Sequence, residues 1–321
     1  MILPKYDMFL KTQLESSSRK LRYLTILVVM ASLVHTACGN DKSEPPVFDG
    51  ARAYDYLVKQ CDFGPRVPGT QAHRACLNYL TSELQKFDAN VSHQSFLSQI
   101  PKTGQSVTMT NIVASFGVNK TERILLCAHW DTRPWADEDD STENNDKPIL
   151  GANDGASGVA VLMEVARHLQ LREPKVGVDI ILFDGEDAGI PGQSHTYALG
   201  SRHFAKNKNP GYRPKFGLLL DMVGDKDLDI YQEEHSLEHA PYIVDKVWTK
   251  AQGLNLTKFI PMPGYEVTDD HLPLLEAGIP CIDIIDFNYR YWHTLEDTPD
   301  KCSPESLATV GQLVLSVIYE D

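Results

Sequence analysis

Cysteine is scarce in this chain, six in 321 residues, and no two have the short spacing of a zinc finger. Positive charge is also short. Thirty Lys and Arg stand against 44 Asp and Glu, a formal net charge of −14. An acidic surface argues against nucleic acid as a partner and suits small, cationic or peptide substrates. The apolar run at residues 23–34 is too short to span a membrane. Nothing repeats at a fixed period and no segment is low-complexity, which excludes a solenoid or a disordered chain. No linker-like stretch interrupts residues 48–321, so one catalytic domain is expected there.

The N-terminal segment reads as an export signal. Arg19, Lys20 and Arg22 precede the apolar run, and Thr36-Ala37-Cys38-Gly39 follows it. A positive flank, an apolar core of this length and small residues before a cleavage point make a signal peptide. The Cys directly after it resembles a bacterial lipoprotein site, with Cys38 lipidated and inserted in a membrane. His35 departs from the aliphatic residue usual in that motif, and an ordinary cleaved signal is the alternative. The expected division is residues 1–37 as signal peptide, 38–49 as tether and 50–321 as the catalytic domain. Loss of residues 1–37 makes the mature chain more acidic still. Cys61, Cys76, Cys127, Cys281 and Cys302 remain, an odd number. Cys127 and Cys281 sit in apolar runs and read as buried small side chains. Spacing leaves open whether Cys61 and Cys76 pair.

Residues 51–61 and 71–87 carry apolar side chains at three- and four-residue spacing and predict helices. Residues 158–171, 236–253 and 304–319 predict three more. Residues 107–116, 123–129, 177–183, 216–220 and 279–285 are near-continuous apolar runs of strand length. Such runs separated by helices predict an α/β fold, a single domain with a central mixed, mostly parallel sheet flanked by helices on both faces. Residues 130–150 form a long acidic loop, of which Asp137 to Asp140 reads as solvated.

Potential metal and proton-transfer groups recur where these runs end. They lie in His129-Trp130-Asp131, Asn153-Asp154-Gly155, Asp184-Gly185-Glu186-Asp187, Leu220-Asp221-Met222 and Trp292-His293-Thr294. An open α/β sheet delivers functional side chains at the carboxyl ends of its strands. Zinc takes about three protein ligands from His, Asp, Glu or Cys and keeps a further position open. Asp154, Asp187 and His293 meet that demand. Glu186, next to a ligand, is placed to act as general base or acid. His129 and Asp221, with Asp131, either complete a second metal site that shares Asp154 or orient the ligands by hydrogen bonds.

At these motifs, together with Gly200-Ser201-Arg202-His203 and Asp269-Asp270-His271-Leu272-Pro273, residues 50–321 resemble the zinc-exopeptidase fold. More narrowly they resemble the glutaminyl-peptide cyclotransferases of the animal-like type. The first three motifs and the Asp221 segment also occur in dizinc aminopeptidases. Trp292 beside His293 and the Asp269 segment tilt the resemblance toward the cyclases. It implies Zn(2+), one per chain, on Asp154, Asp187 and His293, with Glu186 as proton shuttle. Asp221 and Asp269 become the hydrogen-bonding partners of Glu186, and Trp292 a wall of the substrate pocket. Two departures stand out. The second acidic ligand in the family is commonly Glu, and Asp187 is one methylene shorter. The family Trp that follows this motif has no counterpart in residues 188–192, so Trp130 or Trp135 is expected to replace that wall. The implied reaction converts the N-terminal Gln of peptides or proteins to pyroglutamate with release of ammonia. The alternatives are a dizinc aminopeptidase, with two zincs, and an inactive surface module that binds a partner.

Overall fold

The computed structural model describes residues 45–320. The expected signal segment, residues 1–37, and Cys38 lie outside the described residues. The last residues of the expected 38–49 tether belong to the fold. Phe48 is buried against Gly311, where any added Cβ would meet its ring, and its backbone N–H reaches Gln312.

Asp49 then caps α1 (Gly50–Cys61) by accepting from the Arg52 N–H, and Thr70 caps α2 (Gln71–Lys86) through His73. The chain continues as a long antiparallel hairpin, β1 (Asn90–Gln99) and β2 (Ser106–Phe116). β1 was not expected from the sequence. It is the sheet's edge strand and mostly exposed or half-buried, so it never needs the apolar run that marks the inner strands.

Four apolar runs form the parallel heart of the sheet. They are β3 (Arg123–His129), β4 (Gly177–Phe183), β5 (Gly217–Asp221) and β8 (Cys281–Ile285). The six-stranded order is β1-β2-β4-β3-β5-β8. β4/β3, β3/β5 and β5/β8 are parallel, whereas β2 joins β4 antiparallel. β6 (Ile230–Gln232) and β7 (Phe259–Pro263) pair separately.

Alternate residues of each inner strand bury on opposite faces. Ile124, Leu126, Ile180, Leu182, Leu218, Leu220, Ile282 and Ile284 join one core with α1, α2, α3 (Ser157–Leu171), α6 (Pro241–Gly253) and α8 (Pro304–Glu320). Leu125, Cys127, Ile181, Phe183, Leu219 and Cys281 join a smaller one with α4 (Leu199–Asn207) and α7 (His271–Glu276). The expected layering, helices on both faces of a mostly parallel sheet, is what the fold has.

The helix expected over residues 236–253 is two, α5 (Glu234–His239) and α6. Pro241 opens α6 at a position where its missing N–H costs nothing, and Ala240 turns the chain out of helical geometry. The five cysteines of the described residues are buried free thiols, so Cys61 and Cys76 do not pair.

Candidate active site

The carboxyl ends of β3, β4, β5 and β8 meet along one edge of the sheet, as their parallel pairing requires. His129 ends β3 and Asp221 ends β5. Glu186 and Asp187 follow β4 by a turn through Gly185, whose φ of +75° suits glycine and whose added Cβ would strike Met109 Sδ at 2.4 Å. Asp154 stands in the loop before α3. Gly155 beside it has φ +99°, and a Cβ there would come within 2.3 Å of the Asp131 carbonyl oxygen. His293 arrives from the loop after β8 with φ +55°, a left-handed conformation that a non-glycine residue holds only under constraint.

Asp154, Asp187 and His293 are all buried, and one donor atom from each lies within 4.8 Å of the others. His293 Nε2 is 3.1 Å from Asp187 Oδ1 and 3.6 Å from Asp154 Oδ2. Asp154 Oδ2 and Asp187 Oδ2 have no hydrogen-bond partner. Buried carboxylate oxygens are rarely left so. Two carboxylates and an imidazole are a donor set zinc takes, so these residues fit the ion.

Three surrounding groups hold the ligands. The Arg133 guanidinium, fully buried, donates to Asp187 Oδ1 at 3.1 Å and to the Asp187 carbonyl at 3.0 Å. It also forks onto both carboxylate oxygens of Asp137, at 2.6 Å each. Asp137 Oδ1 lies 3.5 Å from His293 Nδ1. Asp297 accepts from the backbone N–H of Asn153 and Asp154 and from the Tyr289 hydroxyl. Asp131 accepts from the backbone N–H groups of Glu186 and Asp187.

Electrostatics separates the carboxylates. Burial works against the Asp187 anion, but His293 and Arg133 beside it outweigh that and hold its carboxyl below the ordinary value. Burial, then the charges of Asp269 and Asp187, push Glu186 well above the usual carboxylate range. Burial and the Asp154 charge push Asp297 up to about 7. Burial pulls His129 down, yet Asp131, Asp154 and Asp221 together raise it well above its ordinary value.

The site opens on a cavity of about 50 Å³ lined by Glu186, Asp221, Asp269, Tyr197, Phe287, Trp292 and the Asp154–Asp187–His293 triad, among others. Trp292 stacks on His293 with ring centroids 3.8 Å apart. A larger recess of about 330 Å³, around Arg123, Asp179 and Tyr212, lies by the amino ends of β3 and β4 and holds none of these groups.

Several sequence expectations need correction. Trp130 and Trp135 do not line the cavity. Trp130 is buried, stacks on His73 and donates its indole N–H to the Thr110 carbonyl. Trp135 packs with Ile100, Val107, Met109 and Ala188. Tyr197 and Phe287 supply the aromatic walls instead. Of the two roles expected for Asp131, it takes the orienting one, holding the Glu186–Asp187 backbone, whereas His129 and Asp221 group with Asp154. Asp221 Oδ1 pairs with His129 Nε2 at 3.1 Å. The acidic loop is not merely solvated. Asp137 fastens Arg133, and Asp139 accepts from the Leu295 backbone. Asp297 and Tyr197 escaped the sequence reading.

Three comparisons with known proteins agree with this geometry. The chain matches the model of peptidase family M28 over residues 111–318. A glutaminyl cyclase structure from Bacteroides thetaiotaomicron is 43% identical, covers 87% of this chain and 100% of its own, and superposes with a TM-score of 0.84. A structure from the same species described as a leucine aminopeptidase precursor is also 43% identical, covering 87% and 99%, with a TM-score of 0.84. The glutaminyl-peptide cyclotransferase of Drosophila melanogaster is 26% identical over 278 residues, which is 78% of this chain and 76% of that protein. Fold, donor set and likeness point the same way, and the chain belongs to peptidase family M28, within its glutaminyl-cyclase branch.

Proposed function

We propose that the protein converts the N-terminal Gln of peptides or proteins to pyroglutamate and releases ammonia, as a zinc-dependent glutaminyl-peptide cyclotransferase. The observation that carries this reading is the small cavity, about 50 Å³, walled by Tyr197, Phe287 and Trp292 and lined by Glu186 and the Asp154–Asp187–His293 triad. The relatives named glutaminyl cyclase support it.

Asp154, Asp187 and His293 would hold one zinc, which when bound supplies Lewis acidity toward a carbonyl oxygen. The protein's own residues do the rest. The aromatic walls fold the Gln side chain back so that its α-amine faces its own amide carbon, an orientation effect. Glu186 takes one proton from the amine as the new C–N bond forms. It returns that proton to the departing nitrogen, which leaves as ammonia. No water is consumed. Burial, with the charges of Asp269 and Asp187, raises the Glu186 carboxyl, which favours its holding the proton between the two transfers. Asp269 and Asp221 line the cavity with Glu186. In the structure Asp221 pairs with His129 and Asp269 Oδ2 has no hydrogen-bond partner, so the hydrogen bonds to Glu186 that the resemblance implies are not made.

The dizinc aminopeptidase reading rests on the His129–Asp154–Asp221 group. One zinc is the reading we favour, because Asp154 Oδ2 and Asp187 Oδ2 are both orphaned around His293, whereas in the other group His129 Nε2 and Asp221 Oδ1 already face each other at 3.1 Å. An inactive binding module would have no need to keep the base and all three ligands. Mass spectrometry of a Gln-initiated peptide incubated with purified protein, with and without chelator, separates the readings. Chelator-sensitive loss of ammonia at unchanged length supports cyclisation. Loss of the N-terminal residue supports the aminopeptidase.

We further propose that residues 1–37 export the chain and that Cys38, lipidated, anchors it in the envelope of a bacterium. Residues 19–38 motivate this, and among the described residues no helix is long and apolar enough to cross a membrane. Cys38→Ala should shift the protein from the membrane to the soluble fraction; retention in the membrane would remove the anchor.

A further inference from the structure

Behind the cavity wall lies a second cluster of Asp, His and Asp. Asp269 and His271 lead into and open α7, and Asp283 sits in the middle of β8. All three are buried, and one donor atom from each lies within 4.8 Å of the others. Asp283 has no hydrogen-bond partner on either carboxylate oxygen. Asp269 Oδ2 and both ring nitrogens of His271 have none either.

Glu233 faces the imidazole. Its carboxylate is held by the backbone N–H groups of His235, Ser236 and Val267 and by the Ser236 hydroxyl. Its Oε2 lies 3.3 Å from His271 Nε2. A carboxylate on one ring nitrogen makes the other a lone-pair donor, the arrangement common to metal-bound histidines. That other nitrogen, Nδ1, faces Asp283 Oδ2 at 3.8 Å. The gap is too long for a hydrogen bond, and it sets acceptor against acceptor. Two donors each about 2.0–2.2 Å from one ion span such a gap. The charged groups that act most strongly on Asp283 are Asp269, Glu233 and Asp221, all of its own sign. Burial and these like charges push the Asp283 carboxyl well above its ordinary value, a strain that a bound cation would relieve.

We propose that Asp269, His271 and Asp283 form a further divalent-cation site, separate from the Asp154–Asp187–His293 triad, that takes zinc or another first-row ion. Its donor set is the same two carboxylates and one imidazole. Asp269 also lines the active-site cavity, which gives the ion a way in. An ion bound there engages Asp269 at the wall of the cavity that Glu186 also lines, so excess zinc would slow whatever reaction the cavity performs. The inference rests on this cluster and not on the cyclisation reading.

Crystals of the purified protein soaked in zinc, with diffraction recorded on both sides of the zinc absorption edge, test it. An anomalous peak among Asp269, His271 and Asp283 is expected, apart from the one at His293. Elemental analysis of zinc-saturated protein in solution should show Asp283→Asn binding one ion fewer than wild type. His271→Gln should repeat that loss if Asp283→Asn fails to fold. His293→Ala should remove the other ion. A filled His293 site with no peak in the cluster, ordered water in its place, or a further peak only at His129–Asp154–Asp221 would overturn the proposal. So would an unchanged zinc count in Asp283→Asn. The peptide mass assay judges cyclisation independently.

Discussion

Asp154–Asp187–His293 and Asp269–His271–Asp283 are built from the same three residue types, both buried and both with orphaned oxygens. They differ in what surrounds them. The first gathers donors from three separate segments, braced by Arg133, Asp137 and Asp297, and faces a cavity. The second draws two donors from one short stretch and a third from mid-strand, with Glu233 behind its imidazole, and stands behind the cavity wall. Donor identity decides which ion fits. Bracing and access decide whether the ion does chemistry. Only the first triad has a base such as Glu186 and room for a substrate beside it.

The largest test of that contrast is His293→Ala, which should lose zinc and all measurable turnover, read by elemental analysis and the peptide assay. Near-normal turnover would move the chemistry away from this triad. Glu186→Gln comes next. Zinc content should stay as in wild type while kcat falls about 10²–10⁴-fold; full turnover would remove Glu186 from its role. Arg133→Met then tests the bracing. Zinc affinity should weaken about 10–100-fold with the fold retained, measured by chelator competition, and unchanged affinity would reduce Arg133 to packing.

The smallest effect lies far from both triads and supplies a reference for a well-partnered buried carboxylate. Burial alone would raise the Glu164 pKa, but its ion pairs with Arg167 and His168 outweigh burial and hold the carboxyl below its ordinary value. Its stabilisation is therefore complete above the unfolded carboxyl pKa and is lost as pH falls through the lowered folded value. Glu164→Gln should lower Tm by about 2–4 °C at neutral pH. The gap to wild type should close in acid, and a gap that widened there would reverse the assigned sign.

The inner strands were legible because burial on both faces demands unbroken apolar runs, and His129, Asp187 and Asp221 because they end or follow those runs at β3, β4 and β5. Strand order was not, since nothing in the run at β3 says that it lies between β4 and β5. β1 went unseen because an edge strand tolerates Asn, Ser, His and Gln. Trp130 and Trp135 misled for a physical reason: an indole fills a core as readily as it walls a cavity, and only the partner of its N–H distinguishes the two. Asp297 brackets Asp154 from far along the chain, a link that no local spacing encodes. Asp283 did leave a trace, a lone carboxylate inside Cys-Ile-Asp-Ile-Ile, where an apolar residue would ordinarily stand.

The packing of α1 against α8 bears on the order in which the molecule assembles. Phe48 sits on Gly311, and a Cβ on Gly50 would strike the Pro304 carbonyl oxygen at 2.2 Å, so the earliest described helix has its seat on the last. A nascent chain emerging from a ribosome cannot close that contact until α8 has been synthesised. Long-range closure of this kind slows folding. Until then the main contact open to α1 is with α3, which leaves the Phe48–Gly311 seat to the last stage of assembly.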